Sequence, residues 1–215
     1  MDIIYIHGLD SDANSTKGML LETYCQQHDA DITVYRPDLN SAPEQVFEQL
    51  VKLVTELNRE AKTVLVGSSL GGYFSTLISN HTGCPALLLN PSTQPHVTLQ
   101  RFANELLLES NSGEDESEYK VPENQILHTT AGGWNITPVD LQWFANHQLV
   151  SIDCPHKIAV LLKEGDELLN PELSKDFYQA HGVTVTVQTG GDHRFTDFGE
   201  QLPIVISMLQ RLLSN

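Results

Sequence analysis

The fold turns on Thr63-Val64-Leu65-Val66-Gly67-Ser68-Ser69-Leu70-Gly71-Gly72-Tyr73, where an apolar run meets a helix-like stretch from Leu70 to Ile78 with a serine at the joint. Gly67 and Gly71 flank Ser69 two residues away on each side. That spacing lets the backbone turn sharply enough to hold a hydroxyl above the edge of a sheet, as a strand-to-helix nucleophile elbow requires. Three fixed positions in a chain of this length match by chance roughly 7% of the time, so the motif needs context.

The order of elements along the rest of the chain supplies that context. Short apolar, β-branched runs recur at Ile3 to Ile6, Ile32 to Tyr35, Thr63 to Val66, Ala86 to Leu89, Ile158 to Leu162 and Val183 to Val187, with helical patterns between them. Alternation of this kind predicts a mostly parallel sheet of about six strands with helices on both faces. Apolar residues from Val46 to Leu57 lie on one side of an amphipathic helix over Pro43 to Leu57, with Ser41 and Glu44 as a capping box. A last helix, roughly Leu202 to Leu213, repeats the pattern. Ser69, Asp166 and His193 each come just after a predicted strand, which is the chain order of a hydrolase triad of this architecture.

Each member has a physical task. A serine hydroxyl is protonated at neutral pH, so Ser69 needs a base within hydrogen-bond reach. His193, in the turn after Val183 to Val187, is the best placed of nine histidines. His28, His81 and His181 fall at predicted helix ends, where capping or solvation is the ordinary role. A carboxylate must hold the imidazole in one tautomer; Asp166 fits, next to a glycine suited to a tight turn, with Glu164 and Glu167 as competitors. The oxyanion of a tetrahedral intermediate needs two backbone N–H donors. Leu70, directly after the serine, supplies one; Leu9, in the turn after Ile6-His7-Gly8, supplies the other.

The region from about 92 to 153 breaks the rhythm. It lacks a clear strand, holds an acidic stretch from Glu109 to Glu118, and carries Trp134 and Trp143. We read it as a lid-like cap inserted in one domain spanning 1–215. Its Phe102, Leu106 to Leu108, Trp134, Trp143 and Phe144, with Tyr73 and Phe74, either wall an apolar acyl pocket or pack the insertion onto the sheet.

Composition narrows the partners. Twelve basic against twenty-eight acidic residues give a formal charge of −16, which disfavours nucleic acid and anionic membranes. No apolar run reaches membrane-spanning length, and Met1 to Ile6 lacks the features of a signal peptide. Cys25, Cys84 and Cys154 are odd in number and widely spaced, as expected of reduced thiols in a cytoplasmic protein. No histidine pair has the helical spacing of a zinc site, so neither metal nor cofactor is expected. No oligomeric state is assigned.

With His7-Gly8, Gly67 to Tyr73, Asn90-Pro91, Gly165-Asp166-Glu167 and Gly191-Asp192-His193 assembled, the chain resembles the YqiA/YcfP-like group of small bacterial α/β-hydrolases over roughly residues 1 to 91 and 156 to 213. The resemblance implies the α/β-hydrolase fold and an intracellular esterase or thioesterase without cofactor, using Ser69, Asp166 and His193. The longer, more acidic middle segment and the Asp10-Ser11 turn depart from that group. The reading is hydrolysis of small to medium acyl esters or thioesters through an acyl-enzyme on Ser69. Amide or peptide hydrolysis by the same triad, and a non-catalytic hydrolase-like binding protein, are the alternatives. An acyl-CoA thioester would need a local basic patch, for which Arg101, Lys120, Lys157 and Arg194 are the candidates.

Overall fold

The computed structural model describes residues 1–110 and 121–214. In chain order the elements are β1 (Asp2–Ile6), α1 (Thr16–His28), β2 (Thr33–Tyr35), α2 (Pro43–Leu57), β3 (Thr63–Ser68), α3 (Leu70–Thr82) and β4 (Ala86–Leu89). Then come α4 (Pro95–Thr98), α5 (Gln100–Ser110), a two-residue hairpin of β5 (His128–Thr129) and β6 (Asn135–Ile136), and α6 (Pro138–Asn146). The chain ends with β7 (Ile158–Lys163), α7 (Pro171–Ala180), β8 (Thr184–Gln188) and α8 (Phe198–Leu212).

Six strands form one sheet in the order β2-β1-β3-β4-β7-β8, all pairs parallel. Parallel strands need a covered crossover, and the side chains show both faces covered. Ile4, Ile6, Leu65 and Leu88 pack with Val46, Leu50 and Val54 of α2 and with Tyr73 and Ile78 of α3. Their alternates Ile3, Tyr5, Val64, Val66, Leu87 and Leu89 pack on the other face with Leu21 and Cys25 of α1 and Val205 and Leu209 of α8. The two-residue period of a strand thus divides each apolar run between two cores, which is why those runs are continuous rather than alternating.

The strand order fixes where a site can form. From β1 the chain goes outward to β2, then crosses back to β3 on the other side, so the carboxyl ends of β1 and β3 open a crevice between diverging connections. His7-Gly8-Leu9 leaves β1 there, and Ser69 leaves β3 beside it.

Local expectations are revised at several points. Helix α2 has the expected span, but its N-cap is Ala42, with no side-chain cap bond and Pro43 in the first turn. Ser41 is one residue too early to cap it. The capping box lies instead on α6, where Asp140 Oδ2 accepts from the Thr137 amide at 2.8 Å. Helix α8 starts at Phe198, four residues earlier than the pattern indicated, and contains Pro203 in its interior. A proline is normally read as a first-turn residue, which pulled the expected start toward Leu202. The middle segment does contain strands, but β5 and β6 are too short to show alternation. Part of the acidic stretch, 111–118, lies outside the described residues. Among the described residues no helix is long and apolar enough to cross a membrane.

Candidate active site

Ser69 sits between β3 and α3 with φ 55° and ψ −119°, a conformation that non-glycine residues avoid. The surroundings enforce it. A methyl at Gly71 would run into the Ile6 carbonyl and lie 2.6 Å from that of His7; one at Gly67 would lie 2.7 Å from the Gly71 carbonyl carbon. Backbone must pass backbone here. The Ser69 carbonyl accepts from the Gly72 amide at 2.9 Å and the Ser92 amide at 3.0 Å, which locks the turn from below.

Three loops from separate strands meet at this serine. His193 Nε2 is 3.0 Å from Ser69 Oγ, and His193 Nδ1 is 2.8 Å and 3.0 Å from the two oxygens of Asp166. The Asp166 side chain is 2% exposed and that of His193 11%. Asp166 Oδ1 also accepts from the amides of Leu168 at 2.9 Å and Leu169 at 2.8 Å. An acceptor-only carboxylate in that position makes Nδ1 the protonated nitrogen and leaves Nε2 free to accept the serine proton. The competing acids are elsewhere: Glu164 is exposed, and Glu167 Oε2 accepts from the His193 backbone amide at 3.0 Å.

The loops are pinned by residues whose roles were not assigned from sequence. Asn90, at φ 42°, accepts from the Lys163 amide at 2.8 Å and donates to the carbonyls of Asp192 at 3.2 Å and His193 at 3.3 Å. One amide side chain therefore ties β4, β7 and the histidine loop together. The signal available was Asn90-Pro91 directly after a strand. Gly165 has a different reason from the one expected: its φ is not positive, and the Gly191 carbonyl occupies the space a Cβ would need. The aspartate turn and the histidine loop touch backbone to backbone through that gap. The buried Lys163 ammonium below them pairs with Asp197.

The two expected oxyanion donors also border the site. Leu70 opens α3, and its amide, like that of Leu9, has no protein acceptor among the described residues. His7 explains the direction of the second. Its Nδ1 donates to the Gly8 carbonyl at 2.9 Å, and its Nε2 accepts from the Leu39 amide at 3.1 Å. In a trans peptide the N–H points opposite to the C=O, so fixing the Gly8 carbonyl toward His7 turns the Leu9 N–H the other way. A Cβ on Gly8 would lie 3.1 Å from that of Ser69, so the two turns are in contact. Burial lowers the His7 pKa, with the Gly8 carbonyl and Asp38 acting weakly in the opposite sense.

The observation that settles kinship is agreement along almost the whole length. The chain belongs to the uncharacterised protein family UPF0227, whose model matches residues 2–210. This UPF0227 member also has the α/β-hydrolase fold. It superposes on Est1E from Butyrivibrio proteoclasticus with a TM-score of 0.71 at 12% identity, covering 100% of this chain and 88% of that one. A monoacylglycerol lipase from Paleococcus ferrophilus matches with 0.63 at 18% identity, over 99% and 94%. Mouse alpha/beta hydrolase domain-containing protein 10 gives 0.65 at 18%, over 98% and 90%. At such identities the likeness is one of fold.

A cavity of about 730 Å³ opens at Ser69 and His193 in this UPF0227 chain, and its walls differ from those expected. None of Tyr73, Phe74, Phe102, Trp134, Trp143 or Phe144 lines it. Tyr73, Phe74 and Phe144 form edge contacts with one another at centroid distances of 5.4 to 6.0 Å and, with Trp134 and Phe102, are buried in the core. Trp143 packs on Phe74 and Phe144. Phe74 and Trp134 line instead a small cavity of about 20 Å³ beside Leu9 and Leu70, and the remaining rings fasten the middle segment to the sheet. The side chains of Leu107 and Leu108 lie outside the described residues. Apolar wall comes instead from Leu9, Leu20, Leu99, Leu168, Leu169 and Phe195, and polar wall from the loop between β1 and α1. Of the basic candidates, Arg101 and Arg194 line the cavity. Lys157 bonds the Gly83 carbonyl at 3.0 Å, at the amino-terminal end of β4 and β7, away from the site, and Lys120 lies outside the described residues. Lys17, not foreseen, lines the cavity too.

Proposed function

We propose that this protein is a serine hydrolase of carboxylic esters or thioesters, acting through an acyl-enzyme on Ser69. The observation that carries the reading is the continuous file from Ser69 Oγ to His193 Nε2 and from His193 Nδ1 to Asp166, at 3.0 and 2.8 Å. Ser69 Oγ attacks the carbonyl carbon while its proton passes to Nε2; the amides of Leu9 and Leu70 receive the oxyanion. His193 then protonates the leaving alkoxide or thiolate, the C–O or C–S bond breaks, and water, deprotonated by the same nitrogen, releases the acid. Asp166 holds the tautomer and stabilises the imidazolium.

Segment 92–153, as a cap on a single domain, supplies part of the rim through Ser92, Pro95, Thr98, Leu99, Arg101, Ala131 and Gly132. An unpaired state of Cys25, Cys84 and Cys154 agrees with a cytoplasmic setting. A fluorophosphonate probe tests the reading. A mass adduct that disappears in Ser69→Ala, together with ester turnover that disappears with it, is the expected result. A protein that stays unlabelled and inert is a binding scaffold. If matched amides turn over faster than esters after correction for intrinsic reactivity, the esterase assignment is wrong and the amide alternative holds.

A further inference from the structure

The basic residues of this acidic chain are unevenly placed. Three of the twelve, Lys17, Arg101 and Arg194, line the cavity, against two of the twenty-eight acidic residues, Asp10 and Asp12. Both acids are engaged locally. Asp10 Oδ1 lies 3.4 Å from His128 Nε2 and accepts from the Ala131 amide at 3.1 Å; Asp12 Oδ1 accepts from the Asn14 amide at 2.6 Å. The cations of the cavity have no carboxylate at ion-pair distance among the described residues. Arg36, Lys163 and Lys175 pair with carboxylates, whereas among the described residues Lys17 Nζ donates only to the Arg194 carbonyl, at 2.7 Å. The Arg101 guanidinium lies 4.8 Å over the Phe102 ring, and no carboxylate lies within ion-pair distance of Arg101 or Arg194 among the described residues.

Lys17 is the most telling of the three. It stands half-buried in the first turn of α1, where the amide dipoles already present positive charge, and that turn has no acidic residue. Burial pushes its pKa down to about 8, with Asp192 opposing and Arg194 adding to the fall; Asp192 is itself occupied by the Thr196 hydroxyl and amide. A cation placed against both desolvation and a helix dipole costs stability unless something anionic comes to it.

The side of the cavity follows from connectivity. Arg194 is bonded to His193, whose Nε2 faces Ser69 and, in the proposed reaction, protonates the leaving group. Lys17 is fastened to Arg194. We propose that the cavity selects esters whose leaving alcohol carries an anionic group, a carboxylate in the simplest case, seated between Lys17 and Arg194 with Arg101 adding to the field at the rim. The inference rests on the hydrolase reading above and adds to it a substrate class.

The test compares 3-carboxyphenyl butyrate with its neutral counterpart 3-(methoxycarbonyl)phenyl butyrate, in Ser69-dependent kcat/KM at low ionic strength. A charge-assisted contact predicts a preference of about tenfold or more for the anion. That ratio should fall severalfold in Lys17→Gln and in Arg194→Gln, and shrink on going to about 0.5 M salt. Lys52→Gln, on the exposed face of α2, should keep the wild-type ratio. A ratio at or below one, with Ser69-dependent turnover of the neutral ester intact, overturns this inference and leaves the hydrolase reading standing. A preference that survives in both variants overturns the assignment to these residues. Absence of Ser69-dependent turnover of either ester, with no fluorophosphonate adduct, removes the hydrolase reading and this inference with it.

Discussion

On the proposed mechanism, replacing Asp166 by asparagine should abolish ester hydrolysis while leaving the fold, and the hydrogen bonds around Asp166 say why the amide cannot compensate by turning over. Oδ1 accepts from the amides of Leu168 and Leu169, at 2.9 and 2.8 Å. An NH2 group in that place would face two donors, so the amide oxygen must take it, at a preference of about 1 kcal/mol for each bond kept. The NH2 then occupies the Oδ2 position, 2.8 Å from His193 Nδ1, and donates to it. His193 responds by carrying its hydrogen on Nε2. That nitrogen lies 3.0 Å from Ser69 Oγ and now has no lone pair with which to take the serine proton. A wrong-tautomer triad of this kind loses about 10⁴ in kcat, or about 5 kcal/mol of transition-state stabilisation. The assay is hydrolysis of p-nitrophenyl butyrate with Ser69→Ala as the floor, and circular dichroism to show that the fold persists. A variant within tenfold of wild type, correctly folded, would refute the argument. Imidazole nitrogen shifts reading the same tautomer in both proteins would refute it independently.

Other perturbations have equally definite outcomes. The pKa of His7 is lowered on folding, so the folded state disfavours its proton; the stability it contributes is complete above about pH 6.5 and is lost as pH falls through the folded value. The urea midpoint of wild type should therefore drop between pH 7 and 5 more steeply than that of His7→Phe, by at most about 1.4 kcal/mol per pH unit, and parallel slopes would exclude the assignment. Gly71→Ala should destabilise by about 3 kcal/mol or more, because the added methyl meets the backbone of Ile6 and His7 rather than a movable side chain; a thermal melt shifted by only a degree or two would contradict the contact. Burial pushes the thiols of Cys25 and Cys84 up to about 11 and about 12, so a disulfide reagent at pH 8 should titrate only Cys154 quickly in native protein and all three in denaturant.

What could be read from the sequence was whatever depends on short spacings. β1, β3, β4 and β7 are buried throughout, and their continuous apolar runs announced them. The elbow was legible because a serine forced to φ 55° needs glycines at fixed offsets, and steric need is local. Beyond Leu9, Leu70, Arg101 and Arg194, the wall of the cavity was not legible. Helix α1 buries Gly18, Leu21 and Cys25, two of them small, so its apolar face gives little periodic signal and Lys17 had no element to stand on. Whether the aromatics of the middle segment wall a pocket or pack onto the sheet stayed open, because a buried ring and a pocket ring look alike in sequence; Phe74 and Trp134 do the one, beside Leu9 and Leu70, while Tyr73 and Phe144 do the other. The same limit explains Gly165, whose bareness answers to Gly191, twenty-six residues on. Asn90 in turn binds residues more than seventy positions away.

These long-range ties bear on how the site keeps its geometry. A hydroxyl, an imidazole and a carboxylate on three loops must hold their mutual distances to a few tenths of an ångström for proton transfer to be concerted with attack. Loops alone do not offer that precision. Here the histidine loop is held from three sides: Asn90 takes two of its carbonyls, Glu167 takes the His193 amide, and Gly165 lets the aspartate turn close against it. Asn90 and Glu167 touch neither the serine hydroxyl nor the imidazole ring, yet each replaces a solvent contact of the loop backbone with a bond to a strand end or to the neighbouring turn. The arrangement transfers the rigidity of β4 and β7 to His193. Positional order at Nε2 should then fail before global stability when either clamp is removed, since the strands themselves are buried on both faces and do not depend on it.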